Sequence, residues 1–291
     1  MFLLCLLVFA LFALIPGDFL TEMELNPTVS PSTIEKLRQE FGIGAPLPVQ
    51  YWRWLSNLAR GNLGYSFVYR RPVRDVLLER IGSTLSLTLA AFGLVLVLAL
   101  PAGLAAAWRA GGIVDKLVLA LSLAGTSLPT VLASLVLLMM AFAVGGSYLD
   151  GEGGFRLWLP ALSLAIPSAS FICRVLRLEY LAALEAPHIQ AARALGLRPR
   201  TVAWRAFRYA ANPVISLGGL VLGGLLSGSV VAEKVFGRPG LGALAVDAVL
   251  ARDLYVAVAA VLVAALFVIV ANLLADVLLA LNDPRVREEM R

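Results

Sequence analysis

The chain carries one histidine, His188, two cysteines, Cys5 and Cys173, and three lysines, Lys36, Lys116 and Lys234. This inventory excludes most site chemistry. None of the lysines lies in a Gly-x-x-x-x-Gly-Lys-Ser/Thr run, so there is no phosphate-cradling loop with which the chain could use ATP by itself. A lone histidine rules out a His-Glu-x-x-His metal site, and because His188 falls in a loop between apolar spans it also excludes a membrane-embedded Ser–His pair; His188 reads as a surface helix residue. Both cysteines sit in apolar segments and read as small buried hydrophobes, with neither a disulfide framework nor a metal cluster open to them. No catalytic residue, metal ligand or cofactor is expected.

The residues that stand out favour docking rather than catalysis. Following Glu179-Tyr-Leu-Ala-Ala-Leu-Glu-Ala comes Pro187-His-Ile-Gln-Ala-Ala-Arg-Ala-Leu-Gly196. Pro187 suits a first helical position, and Ile189, Ala192 and Leu195 recur at three-residue steps as one apolar stripe. Gly196 suits the left-handed stop after a helix. Beyond Leu197-Arg198, Pro199 can start a second short helix carrying Arg200, Arg205 and Arg208. Two short helices joined at a glycine make a compact knob. Its candidate docking residues are Pro187, His188, Ile189, Gln190, Ala191, Ala192, Arg193, Leu195, Gly196 and Arg200. An ordinary basic loop on the cytoplasmic face of a membrane protein fits the same residues.

The elements that position this knob have to be membrane helices. The chain is 60% hydrophobic and 15% charged, with a mean hydropathy of +0.86, whereas soluble domains are about half apolar and about a quarter charged. Uncharged stretches cover residues 81–108, 117–149, 157–173, 209–232 and 254–275. All reach the ~17 residues that a helix needs to cross hydrocarbon, and in lipid only a helix satisfies the backbone of such a segment. Met1 to Ile15 is also apolar but short. Three readings stay open for it: a first transmembrane helix that begins upstream, a short or tilted one, or a cleaved signal. The expected fold is all-α, with about six transmembrane helices. The first occupies residues 1–16, a small extracytoplasmic module 17–80, a five-helix core 81–281 with a loop at 179–208 between the fourth and fifth spans, and a tail 282–291.

Orientation follows from charge. The side holding the 109–116 and 174–208 loops and the tail carries twelve Lys and Arg, as does the other side, but eight of the latter fall in the long segment Gly17–Arg80. Long segments cross largely regardless of charge. Discounting them leaves twelve against four, which places both termini in the cytoplasm. The net charge of +5 is thereby explained without nucleic acid. Within 17–80, Pro27, Pro31 and a Ser32-capped helix Thr33–Phe41, broken by Gly42, Gly44, Pro46 and Pro48, precede an amphipathic helix over Gln50–Leu58 bearing Trp52 and Trp54. Pro129 falls inside the 33-residue uncharged stretch 117–149 and should tilt or break it. Pro101 and Pro167 act similarly in their spans. Gly218, Gly219, Gly223, Gly224 and Gly228 give the fifth span a small-residue packing seam. The central parts of the long spans carry no ionisable residue, which argues against a proton- or sodium-coupled transporter. Only Asp276, near the end of the last span, keeps that alternative open.

Gln190-Ala-Ala-x-x-x-Gly196 resembles the "EAA…G" loop of ABC-importer membrane subunits, with Gln where Glu is usual. Phe41-Gly-Ile-Gly-Ala-Pro-Leu-Pro-Val-Gln-Tyr-Trp-Arg-Trp-Leu55, Gly61-Asn-Leu-Gly-Tyr-Ser-Phe67, Arg71-Pro-Val73, Glu233-Lys-Val-Phe-Gly-Arg-Pro-Gly-Leu-Gly242 and Asn282-Asp-Pro-Arg-Val-Arg287 resemble the dipeptide/oligopeptide/nickel permease family. Two departures stand out: the missing carboxylate at Gln190, and Pro213, which lies further from Gly196 than the closing Leu-Pro of the general motif.

The resemblance implies a permease subunit in the plasma (inner) membrane that forms half of an alternating-access pathway for small peptides or a related solute. The 187–208 knob would be its coupling element. Implied partners are two ATP-hydrolysing subunits, a second homologous permease, an extracytoplasmic solute-binding protein and the lipid bilayer. Arg70, Arg71, Arg74 and Arg238 are then candidate contacts for the binding protein. Thr126, Ser127, Ser227 and Ser229 are candidates for lining the pathway.

Overall fold

A computed structural model describes residues 5–7, 10, 46–66, 68–143 and 155–282. Its elements run α1 (Leu47–Ala59), β1 (Tyr65–Ser66), β2 (Arg71–Pro72), α2 (Val73–Trp108), α3 (Ile113–Ser127), α4 (Thr130–Ala143), α5 (Phe155–Glu185), α6 (Pro187–Ala194), α7 (Pro199–Val235), α8 (Leu241–Leu250) and α9 (Leu254–Asn282). Most of the first apolar stretch, the expected Thr33–Phe41 helix with Pro27, Pro31, Gly42 and Gly44, and the tail after Asn282 lie outside the described residues. Pro46 instead caps α1 and Pro48 sits in its first turn, so that helix starts ahead of the expected Gln50.

Among the described residues, four helices, α2, α5, α7 and α9, are long and apolar enough to cross a membrane, and the pair α3–α4 makes a fifth span if taken as one. That pair bends by 103° at Leu128-Pro129. The proline ring excludes Leu128 from helical geometry, and Leu128 takes an extended backbone, φ −82° and ψ 115°. The stretch 117–149 is therefore broken rather than tilted. The 31 to 37 residues of α2, α5 and α7 exceed the ~20 that hydrocarbon requires, so the expected loop at 179–208 is largely helical. Residues 179–185 continue α5, and Arg200, Arg205 and Arg208 lie on the first turns of α7 rather than on a separate short helix.

The chain divides into two compact units, Met1–Thr84 with Pro239–Leu266, and Leu85–Arg238 with Phe267–Arg291. In the first, α1 buries Trp54 against Val258 and Cys5, while Trp52 stays exposed. The two-stranded hairpin is antiparallel, with Tyr65 opposite Pro72 and Ser66 opposite Arg71. A buried carboxylate fixes it in place. Asp253 Oδ2 accepts from the Ser66 hydroxyl at 2.6 Å and from the Val68 amide at 3.4 Å, and Asp253 Oδ1 accepts from the Val256 amide at 3.4 Å. Thr84 Oγ1 accepts from the Leu241 amide at 2.8 Å and so satisfies a donor that the first turn of α8 leaves open.

In the second unit α5 is the central helix. Its buried face, including Leu164, Ile172 and Leu176, meets Leu87, Ala91 and Val95 of α2 and Val221 and Leu225 of α7 in one core. The glycine seam of α7 divides by position. Gly219 faces Asn272 and Ala275 of α9, Gly223 faces Val268, and Gly228 faces Leu164, while the Cβ position of Gly224 opens on empty space. Lacking an amide hydrogen, Pro160 leaves the carbonyl of Arg156 without its helical partner. Arg238 Nη1 donates to that oxygen at 3.1 Å.

Candidate functional site

The knob is built from α6 and the helix ends on either side of it. Two X-Pro steps start its helices: Ala186 precedes Pro187, and Arg198 precedes Pro199, both with ψ 138°. Such a step disfavours helix before the proline and preorganises it after. At the far end of α6, Gly196 adopts φ +74°. Its amide bonds Arg193 O at 2.9 Å, while the Leu197 amide reaches Ala192 O at 3.2 Å. This paired closure needs a left-handed residue, which glycine occupies without a Cβ penalty.

The apolar stripe turns out to have two destinations. Ile189 is fully buried and joins Tyr180, Ala183, Val202 and Ala206 in the core; Ala192 is buried as well. These two residues, expected on a docking surface, instead anchor α6 to its own chain. Leu195 departs from them. It lies just past the last helical residue, where the rotation no longer follows the stripe, and it is 80% exposed. The exposed side of the knob therefore carries His188, Gln190, Ala191, Arg193, Leu195 and Gly196, with Pro187 and Arg200 at its ends.

Gln190 has a role that a glutamate could not fill. Its Nε2 donates to Glu185 O at 2.9 Å, closing the last turn of α5, whereas a carboxylate can only accept there. The ring of His188 lies 5.0 Å from that of Tyr209 and ties α6 to α7.

Two further contacts, not anticipated from the sequence, hold the ends of the long helices. Arg177 of α5 grips Asp115 of α3 through two hydrogen bonds of 2.5 and 2.6 Å, and the Gly111 amide donates to the same carboxylate at 2.8 Å. Charges separated by 62 positions give no local pattern from which to infer such a pair. Exchanging them tests it. Asp115→Asn should lower the thermal-unfolding midpoint of the purified chain, and Asp115→Arg with Arg177→Asp should recover only part of the loss, because the ion pair is restored while the Gly111 amide is left without its acceptor. The second contact joins α9 to α7, where Asn282 Nδ2 donates to Arg208 O at 3.1 Å and Arg208 Nη2 donates to Asn282 O at 3.3 Å.

The remaining candidates separate as follows. Arg70 and Arg74 are exposed, and Arg70 holds a left-handed φ of 51° in the hairpin turn. Arg71 is engaged by Glu79 at 2.5 and 2.6 Å and stacks 6.0 Å above Tyr69. Arg238 is committed internally, donating to Arg156 O and, at 2.9 Å, to Ser86 Oγ. That commitment sets it apart from an outward contact residue. Thr126 and Ser127 sit beside the helix break, bonded back to Ser122 O and Leu123 O, and Arg174 Nη2 donates to Thr126 Oγ1 at 3.1 Å. Ser227 is exposed. Ser229 is 1% exposed and bonds Leu226 O within its own helix, so it lines no open surface of this chain. Among the described residues no cluster of His, Cys, Asp or Glu could hold a metal ion.

Comparison with known proteins agrees with this architecture. Residues 99–288 match the family model for the binding-protein-dependent transport system inner membrane component, and residues 1–88 match the model for the N-terminal part of such membrane components. A protein of Brucella abortus (strain 2308) named as a peptide transport system permease is 35% identical over 298 aligned positions, covering 99% of this chain and 95% of the relative. The glutathione transport system permease protein GsiC of Escherichia coli O6:H1 is 36% identical over 293 positions, covering 99% and 94%. In fold, the chain is similar to one chain of an inward-facing methionine ABC transporter, with a TM-score of 0.58 at 21% identity, covering 72% of this chain and 96% of that one. The chain thus belongs to the family of binding-protein-dependent inner-membrane transport components: it is a multi-pass permease subunit of an ABC importer and not itself an enzyme, ATP hydrolysis lying in separate subunits.

Proposed function

We propose that this permease moves small peptides, a class that includes glutathione, by alternating access, and that α6 is where ATP-driven motion enters it. The observation that carries this reading is the two-faced packing of α6. Ile189 and Ala192 are buried in the chain's own core, while Ala191 and Leu195 are exposed on the same eight-residue helix and its cap. A helix held this way transmits a push, because displacing it drags α5 and α7 with it rather than bending a loop. The cargo class rests on the peptide and glutathione names of the relatives.

In this reading the chain has six spans with both termini in the cytoplasm, and residues 17–80 form an extracytoplasmic module. It pairs with a second homologous permease, two ATP-hydrolysing subunits and a solute-binding protein. Arg70 and Arg74 meet the binding protein, with Arg71 held in place beside them, and Thr126, Ser127 and Ser227 border the pathway. The ion-coupled alternative gains no support from the relatives.

Because Ala192 faces inward, a charge placed there would disrupt the fold rather than the docking. The test uses Ala191→Glu with Leu195→Glu, both exposed. Co-purification from mild detergent should recover the ATPase with the intact chain and about tenfold less with the double variant, the effect of losing a contact at an interface centre. The thermal midpoint should be unchanged, as for most surface substitutions. Equal recovery by both chains removes α6 as the coupling element.

A further inference from the structure

Beside α6, within the second unit, the last turns of α2, the late turns of α5 and the first turns of α7 enclose an apolar groove of about 500 Å³, continuous through Trp108, Tyr180, Pro199 and Ala203 with a neighbouring one of about 400 Å³. We infer that this groove holds an anionic phospholipid of the adjacent leaflet, its acyl chain along Trp108, Trp204 and Phe207 and its phosphate on Arg193 and Arg200.

Three observations single out that occupant. The first is depth. Trp108 ends the uncharged stretch that begins at Ile81 and is followed at once by Arg109, the transition that marks where hydrocarbon gives way to headgroups. On the other two walls Tyr180 follows the uncharged stretch that ends at Cys173, and Pro199 to Phe207 precede the one that begins at Tyr209, so the groove lies at the depth of headgroups, just outside the hydrocarbon. The second is shape and surface. Trp108 is 83% exposed and Trp204 64% exposed. Indole rings prefer the interface, where one edge is apolar and the other wet, and the volume lies within the ~300–1,000 Å³ of small-molecule sites. The third is charge. Among the described residues that line the two grooves, Arg193 and Arg200 carry the fixed charge and none is a carboxylate. A guanidinium matches a phosphate through paired hydrogen bonds, and each juxtamembrane arginine is expected to strengthen binding to an anionic lipid about fivefold. A wholly apolar partner helix would fill the groove but leave both cations without a counter-charge, whereas a phospholipid supplies the apolar chain and the anion together. The inference is independent of cargo, but it requires that the groove opens at a membrane interface and that the subunit docked on α6 leaves Arg193 and Arg200 to the lipid.

The assembled transporter, reconstituted in bilayer discs of equal phosphatidylglycerol and phosphatidylcholine, is released into native mass spectrometry. The expected result is retained phosphatidylglycerol in excess over phosphatidylcholine, the preference falling about 25-fold in Arg193→Gln with Arg200→Gln. Equal retention of the two lipids, a preference that survives the double substitution, or no retained lipid in the assembled complex each overturns the proposal, the last by showing that a subunit covers the groove. A second measurement needs no variant. Phosphatidylglycerol brominated on its acyl chains should quench the tryptophan fluorescence of the wild-type transporter more than brominated phosphatidylcholine at the same mole fraction, and equal quenching counts against a lipid seated on Trp108 and Trp204.

Discussion

Gly219→Leu lowers the thermal-unfolding midpoint of the purified permease by roughly 6–12 °C, while Gly224→Leu, on the same helix, leaves it near the wild-type value. A β-carbon at Gly219 would lie 2.6 Å from Asn272 Oδ1, 3.0 Å from Asn272 Cα and 3.1 Å from Ala275 Cβ. The amide oxygen can move, but the backbone and the short alanine side chain cannot, so α9 must be pushed off α7. Overpacking of this kind costs about 3 kcal/mol at its upper range, and for a chain of this size each kcal/mol is worth about 2–4 °C. At Gly224 nothing lies within 4 Å of the same position and the residue is exposed, so a leucine there can project outward. In lipid, apolar side chains gain little by hiding from their surroundings, and close backbone approach carries the association. The contrast between two glycines of identical propensity isolates that packing. Equal midpoints for the two variants would mean that α7 and α9 are not held by this contact, leaving the approach of Gly223 to Val268 and the joint at Arg208 and Asn282 to carry the pair.

Asp253→Ala releases the hairpin of the first unit. Ser66 and Asp253 are both fully buried, and the carboxylate is the acceptor for a hydroxyl and two backbone amides. Removing it leaves buried donors without partners. The 2.6 Å bond to a charged acceptor is the strong one, and orphaning a buried donor costs about 1–3 kcal/mol, so a total of about 3 kcal/mol is expected once the two longer amide bonds are included. Asp253→Asn keeps the shape and one acceptor oxygen and should lose about a third of that. The readout is limited proteolysis between Arg60 and Arg74, fast in the alanine variant, slower in the asparagine variant and slowest in wild type. Cleavage at the wild-type rate in all three would show that the β1–β2 hairpin is held by other contacts. Arg70 and Arg74 sit on or just after this hairpin, so if they meet the solute-binding protein as proposed, its stimulation of ATP hydrolysis should fall in parallel with the loosening.

Much of the 187–208 knob was legible in the chain because its signals are local. Pro187, Pro199 and Gly196 act through their own φ angles, and each ends or begins a helix where expected. The long apolar stretches likewise become helices because lipid offers the backbone no other partner, and Pro129 breaks its span through the residue immediately before it. Whether 179–208 would be a loop was not local. The extension of α5 and α7 past the hydrocarbon is supported by the packing of Tyr180, Ala183, Val202 and Ala206 against Ile189, and no periodicity within one segment reports what another segment covers.

The amino-acid sequence by itself determined that this protein is membrane-spanning and helical, and where its knob starts and stops, since composition and backbone sterics need no knowledge of the rest of the chain. The tertiary structure alone decided which face of the knob is free. Ile189 and Ala192 turn inward and Leu195 outward, Arg238 is occupied by the carbonyl that Pro160 strands, and Ser229 is sealed inside its helix packing. The physical reason is that exposure and hydrogen-bond commitment are properties of pairs of distant segments, set only when α2, α5 and α7 close on one another.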